Sequence, residues 1–122
     1  MKHTIKLVGL IDDNNWKHYL WSVTINTVHF NYKTGIGLVK PNGQPSVPKI
    51  DEVMYCLVND IEFGAMSFDD FCDNCGYSND SLNALNIYRE CSENEKKLRK
   101  ALGKEYNEEV NRINKLREEG LF

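Results

Sequence analysis

From Trp16 to Ile25 the side chains alternate in character. Lys17, Tyr19, Trp21, Val23 and Ile25 form a mostly apolar set. Trp16, His18, Leu20, Ser22 and Thr24 form a second set that turns polar towards its end. A period of two marks a strand with one buried face. Val28, Phe30 and Tyr32 resume the alternation after Asn26-Thr27, so a hairpin is expected between about residues 17–25 and 28–33. Thr4 to Ile11 is rich in β-branched and aliphatic residues, and the cluster Asp12-Asp13-Asn14-Asn15 after it reads as a turn. A three-stranded antiparallel meander is the simplest arrangement.

The period then changes. Residues 33–48 hold three Gly and all three Pro and read as a loop. Pro48 suits the first turn of a helix, and Ile50, Val53, Met54, Leu57 and Val58 follow at helical spacing. This helix is expected to stop near Asp60 to Gly64. Ser67, with Asp70 three positions on, nearly matches a capping box. Phe68, Phe71 and Cys72 share the buried side of the helix it opens, and Gly76 is placed to end it in a left-handed turn. Ser78, Asn79 or Asp80 is expected to cap a third helix, with Leu82, Leu85, Tyr88, Cys91, Leu98 and Leu102 along its apolar line and Gly103 at its end. A fourth, from about Lys104 to Glu119, carries Tyr106, Val110, Ile113 and Leu116 on one side, before Gly120 and an apolar Leu121-Phe122 tail. Glu93–Lys97 and Glu95–Arg99 are i,i+4 pairs on its neighbour's solvated face.

The pattern predicts an α+β fold: an N-terminal antiparallel meander of about three strands followed by about four helices. At 122 residues the chain is expected to form a single domain, with a β-rich part at 1–33, a Gly/Pro loop at 34–48 and a helical part at 49–119. No stretch approaches the apolar length of a membrane span, and the first residues lack the core of a signal peptide. A cytoplasmic protein with reduced cysteines is the expectation.

Charge sharpens this picture. The formal net charge is −3, but it is unevenly distributed. Residues 1–50 have six Lys and two acids. Residues 51–80 have eight acids and no base: Asp51, Glu52, Asp60, Glu62, Asp69, Asp70, Asp73 and Asp80. Residues 81–122 have nine bases and eight acids. Asp51, Glu52, Asp69 and Asp70 suit the first turns of helices, where carboxylates complement the dipole. The block also invites a second reading, as an electronegative surface for a basic partner. Asp60, Glu62, Asp69, Asp70, Asp73 and Asp80 are its candidate contact residues.

Chemistry-bearing motifs are sparse. There is no HExxH, GxSxG or Walker signature, so a non-enzymatic role without a cofactor is expected. Gly35-x-Gly37 lacks the rest of any phosphate-binding fingerprint. Cys72-Asp73-Asn74-Cys75 is a CxxC which, with Cys56 and Cys91, offers a four-cysteine zinc site as an alternative. However, Cys56 and Cys91 are singletons, and the CxxC falls inside a helix. Core thiols explain the four better. His18 and His29 lie on adjacent strands, where they could approach across the hairpin.

The stretch from Ser67 to Cys91 resembles a family of small phage and prophage proteins. The shared pattern falls on Ser67, Phe68, Phe71, Cys72, Gly76, Tyr77, Asp80, Ser81, Ala84, Tyr88 and Cys91, and its front half is similar around Trp21, Val23, Phe30, Tyr32 and Gly35. The likeness covers about residues 20–103. In that pattern the position of Cys75 is more often aromatic, which argues against the CxxC reading. The resemblance implies an α+β fold and a phage or mobile-element origin. An accessory protein that inhibits a host protein, such as the CRISPR effector of a defence system, is the leading expectation. A phage oligomerisation module is the alternative, so a homo-oligomer is compatible with the sequence. Direct binding of nucleic acid is disfavoured, because the basic front half has no Arg and no helix-turn-helix pattern.

Overall fold

The computed structural model describes residues 1–13 and 16–121. Asn14 and Asn15 of the expected turn, and Phe122 of the expected tail, lie outside the described residues. Three strands come first: β1 (His3–Asp13), β2 (Trp16–Ile25) and β3 (Val28–Gly35). They form an antiparallel sheet in the order β1-β2-β3. Helices follow, so the fold is α+β. They are α1 (Ile50–Ala65), α2 (Phe68–Cys75), α3 (Leu82–Leu102) and α4 (Tyr106–Glu118). A single 3-10 turn, Gly103–Glu105, joins α3 directly to α4. Counted by breaks in the helical run, the described residues hold three helical stretches, not four separate ones. Contacts divide the chain into two compact units, Met1–Val53 and Met54–Phe122.

In the first unit the expected alternation decides the register. Trp21 pairs with Tyr32, Val23 with Phe30 and Ile25 with Val28, so the apolar sets of β2 and β3 share a face. Trp21, Val23, Ile25 and Phe30 are buried there. The Trp21 indole N–H donates to the Thr34 hydroxyl at 2.8 Å, which satisfies a donor that burial would otherwise strand. The two-residue turn needs a left-handed residue, and Asn26 supplies it at φ 54°. Its Oδ1 also accepts from the Lys2 amide at 3.1 Å, while its own amide donates to the Lys2 carbonyl. β1 pairs with β2 over its whole length but carries a bulge: Leu7 opposes Trp21 and Gly9 opposes Leu20, leaving Val8 as the extra residue. The Gly/Pro segment is not a plain loop. An isolated Val39–Pro45 bridge closes a small turn, held by the Lys40 amide on the Gln44 carbonyl at 2.8 Å.

The helices follow the apolar spacing with local departures. Val53, Met54, Leu57 and Val58 are all buried on α1. That helix runs through Gly64 to Ala65, just past the expected stop, and Gly64 lies against the backbone of α3. A Cβ built at Gly64 would stand 3.0 Å from the Ser92 Cα and amide N. α2 begins and ends as expected. The Ser67 hydroxyl accepts from the Asp70 amide at 3.1 Å, and Gly76 closes the helix at φ 74°.

The third helix starts differently. Its cap is Ser81, whose hydroxyl accepts from the Ala84 amide at 3.2 Å, and not Ser78, Asn79 or Asp80. The Ser78 hydroxyl is turned to the Asp80 carboxylate, and the Ser81 amide returns to the Ser78 carbonyl, so those residues form the turn ahead of the cap. Leu82, expected on the apolar line, is 70% exposed, and Ala84 takes the buried position in that turn. Glu95 and Arg99 form the expected pair, and the Arg99 guanidinium sits 4.3 Å above the ring of Tyr106. No helix among the described residues is long and apolar enough to cross a membrane.

Candidate functional site

The carboxylates of the acidic block separate into engaged and free groups. Asp51 and Glu52 occupy the first turn of α1. Asp60 is half-buried on α1 and turned towards α3: its Oδ2 accepts from Asn94 Nδ2 at 3.0 Å, and its Oδ1 accepts from the Cys91 thiol at 3.6 Å. Glu62 accepts from Arg117 at 2.7 Å, while the same guanidinium donates to Asn59 at 2.7 Å, tying α4 to α1. Asp80 accepts from the Ser78 hydroxyl. Asp69, Asp70 and Asp73 remain. All three are exposed on α2, and among the described residues none forms an ion pair. Asp69 and Asp70 lie four and three residues from Asp73, so they present one patch on the helix surface.

An aromatic cluster holds this short helix in place. Phe71 and Cys72 are buried with Ala84, and Phe63, Met66, Phe68, Ile87 and Tyr88 pack around them. The Phe71 ring meets Tyr88 at 5.3 Å, Phe63 at 5.8 Å, Tyr77 at 5.9 Å and Phe68 at 6.5 Å, so four aromatic rings surround one side chain. The Tyr88 hydroxyl donates to the Met66 carbonyl at 2.5 Å and fixes the chain just ahead of α2. An eight-residue helix is too short to be stable alone, so this packing decides where its carboxylates point.

The cysteines are all free. Burial, and then the charge of Asp60, push the Cys91 thiol up to about 12, so it stays protonated and acts as a donor. Burial also raises Cys72, helped by the charges of Asp69 and Asp73. Cys72 is buried while Cys75 is exposed, as their i,i+3 spacing on one helix permits. Among the described residues no three His, Cys, Asp or Glu side chains are grouped to hold a metal ion. The two strand histidines do not meet. His29 opposes Thr24 while His18 opposes Gly35, which separates them along the hairpin. His18 is buried, stacked 4.4 Å from the Trp16 ring.

The Asp60 arrangement has a consequence for pH. Burial lifts its carboxyl above the ordinary value of 3.8, against the opposing hydrogen bonds from Asn94 and Cys91. The folded chain therefore holds this proton more tightly than the unfolded chain. Ionisation of Asp60 subtracts stability at neutral pH, and the penalty is relieved as pH falls through the raised value towards 3.8. Asp60→Asn keeps the shape and removes the charge, but turns one acceptor into a donor. Its stability at neutral pH is expected within about 1 kcal/mol of wild type. Denaturant midpoints should show the variant losing ground to wild type as pH is lowered to about 4. A gap that stays constant with pH contradicts this account.

No protein-family model, curated protein or solved structure matches the chain.

Proposed function

We propose that this chain is a non-catalytic, phage-type accessory protein that binds a host protein through the exposed carboxylates of α2. The partner offers a basic or nucleic-acid-binding surface, as a CRISPR effector does, and binding keeps that surface from its own ligand. One observation carries this reading: in a block of eight acids with no base, Asp69, Asp70 and Asp73 stay exposed and, among the described residues, without ion pairs, on a helix held by its own aromatic cluster. Asp60 and Glu62 belong to the helix packing and are left out of the contact surface. The likeness of residues 67–91 to small phage proteins supports the biological setting.

The test is a triple variant, Asp69→Asn, Asp70→Asn and Asp73→Asn, which keeps Ser67 as the cap. Rim charges act mainly through association rate and salt dependence. Wild type is expected to retain a host defence protein from lysate and to restore phage plating on an immune host. The variant is expected to bind that protein at least about tenfold more weakly at low salt, with the difference shrinking as salt is added. Equal binding by the two, or full immunity with wild type expressed, rejects the reading.

A further inference from the structure

We infer that two copies of this chain pair through the outer edge of β1, joining their three-stranded sheets into one antiparallel sheet across a two-fold axis that passes between Leu7 and Val8. This uses a different surface from α2 and stands independently of the function proposed above.

β1 is an edge strand of eleven residues. Edge strands expose unpaired backbone donors and acceptors, and soluble proteins usually protect them with charges, prolines, bulges or short length. β1 has two of these devices, Lys6 and the bulge at Val8, yet it keeps an exposed apolar run on either side of them. Leu7 is 45% exposed, Val8 59%, Leu10 57% and Ile11 37%, and Lys6 and Gly9 interrupt the apolar run between Ile5 and Ile11. β3, the opposite edge, is shorter and exposes His29, Asn31 and Lys33. The two edges are therefore unequal, and β1 is the one suited to add a strand.

The bulge selects the partner and the register. Before it, His3, Ile5 and Leu7 oppose Ile25, Val23 and Trp21 of β2. After it, Leu10 and Asp12 oppose Tyr19 and Lys17. Residues 21, 23 and 25 lie on the same face as 17 and 19, so His3, Ile5, Leu7, Leu10 and Asp12 share one face of β1, with the step in parity at Val8. A two-fold normal to the sheet must bring like faces together. With the axis between Leu7 and Val8, Ile5 of each copy lies opposite Leu10 of the other, and His3 lies opposite Asp12. On the other face Thr4 lies opposite Ile11. Apolar meets apolar and a donor-bearing ring meets a carboxylate, each twice by symmetry.

Other registers lose this match. A slip of one residue sets opposite faces against each other. A slip of two sets either Ile5 opposite Asp12 or His3 opposite Leu10. An in-register parallel pair places Asp12 beside Asp12 and Lys6 beside Lys6. Among the described residues, the ion pair of Asp12 is a long, exposed contact to Lys17 at 3.9 Å, which leaves its carboxylate able to accept from the second copy. The complementary occupant of this edge is β1 itself.

Sedimentation equilibrium of the full chain over a wide concentration range reads the outcome. Wild type is expected to show a reversible monomer–dimer equilibrium. His3→Asp alone sets carboxylates opposite one another at both symmetric pairs, and Asp12→Lys alone removes the acceptor from both, so each should weaken the dimer by about tenfold. An equal mixture of the two variants should recover association, because the new carboxylate of the H3D copy faces the new ammonium of the D12K copy. Leu10→Lys, at an exposed position that folding does not need, should leave only monomer, with the far-UV dichroism of wild type. A wild type that stays monomeric at every concentration overturns the inference. So does a dimer that L10K leaves intact, or a mixture that associates no better than either variant alone.

Discussion

Phe71→Ala is expected to destabilise the helical unit by about 3 to 5 kcal/mol, the largest effect of any single truncation considered. The side chain is 1% exposed and lies among the rings of Phe63, Phe68, Tyr77 and Tyr88. Truncation removes its transfer free energy and leaves a cavity whose walls come from α1, α2 and α3. These walls cannot all collapse, because Tyr88 is pinned through its hydroxyl to the Met66 carbonyl. Beyond Phe71, α2 is held by the small buried Cys72 and by the partly buried Phe68, whose ring lies 5.5 Å from Tyr88. Domains of this size are stable by about 5 to 15 kcal/mol, so the loss takes a large share of the whole. Urea titration followed by far-UV dichroism measures it. A cost below about 1 kcal/mol would mean that the ring cluster does not anchor α2.

Gly64→Ala is the second large effect, and its sign has to be argued. In an exposed helix interior, alanine is favoured over glycine by about 1 kcal/mol. At position 64 the added Cβ would lie 3.0 Å from Ser92 Cα and 3.0 Å from Ser92 N, both backbone atoms. Backbone cannot swing aside as a side chain can, so α1 and α3 must move apart. The nearby Asp60 contacts to Cys91 and Asn94 would lengthen with them. Overpacking of this kind costs about 1 to 3 kcal/mol and exceeds the propensity gain once those hydrogen bonds are disturbed. A net loss of about 2 kcal/mol is expected from thermal or denaturant unfolding. A variant more stable than wild type would show that the helices separate freely. Gly64→Ser provides a control with a similar clash and less propensity gain, and it should be no more stable than Gly64→Ala.

Local chemistry in the sequence was a good guide where neighbours in the chain decide the outcome. The alternation from Trp21 to Tyr32 determines which face of the hairpin is buried. The Ser67 cap and the Gly76 stop need only the adjacent turn of backbone. The apolar spacing from Ile50 to Val58 places α1 because every member lies within two turns. The misses share a different cause. Ser81 displaces its neighbours as a cap because Ser78 and Asp80 bond to one another. Leu82 sits at helical spacing but loses its buried place to Ala84, which faces Phe71 from another helix. Asp60 looked like surface charge until Cys91 and Asn94, more than thirty residues away, were brought to it. The bulge at Val8 is a property of strand pairing and has no local mark beyond the adjoining Gly9.

In the acidic block, composition marks the segment but carries no information on which carboxylates find partners in the fold. Of the six residues singled out, Asp60 and Glu62 are drawn into contacts between helices, and Asp80 serves a turn. Asp69, Asp70 and Asp73 are exposed and form no ion pair among the described residues. Asp60 alone of the six is turned inward, where α1 packs on α3, while Glu62 and Asp80 stay exposed but hold partners.

Both tryptophans of the chain, Trp16 and Trp21, lie in the unit that ends at Val53, whereas α2, α3 and α4 lie in the other. Trp21 is 2% exposed and Trp16 47%. Indole emission is thus a spectroscopic window on the sheet alone, with one blue-shifted and one solvent-quenchable component. Helical ellipticity is a window mainly on the second unit. A denaturant titration followed by the two signals together separates the cooperativity of the units: coincident curves mean one melting transition, and displaced curves mean two.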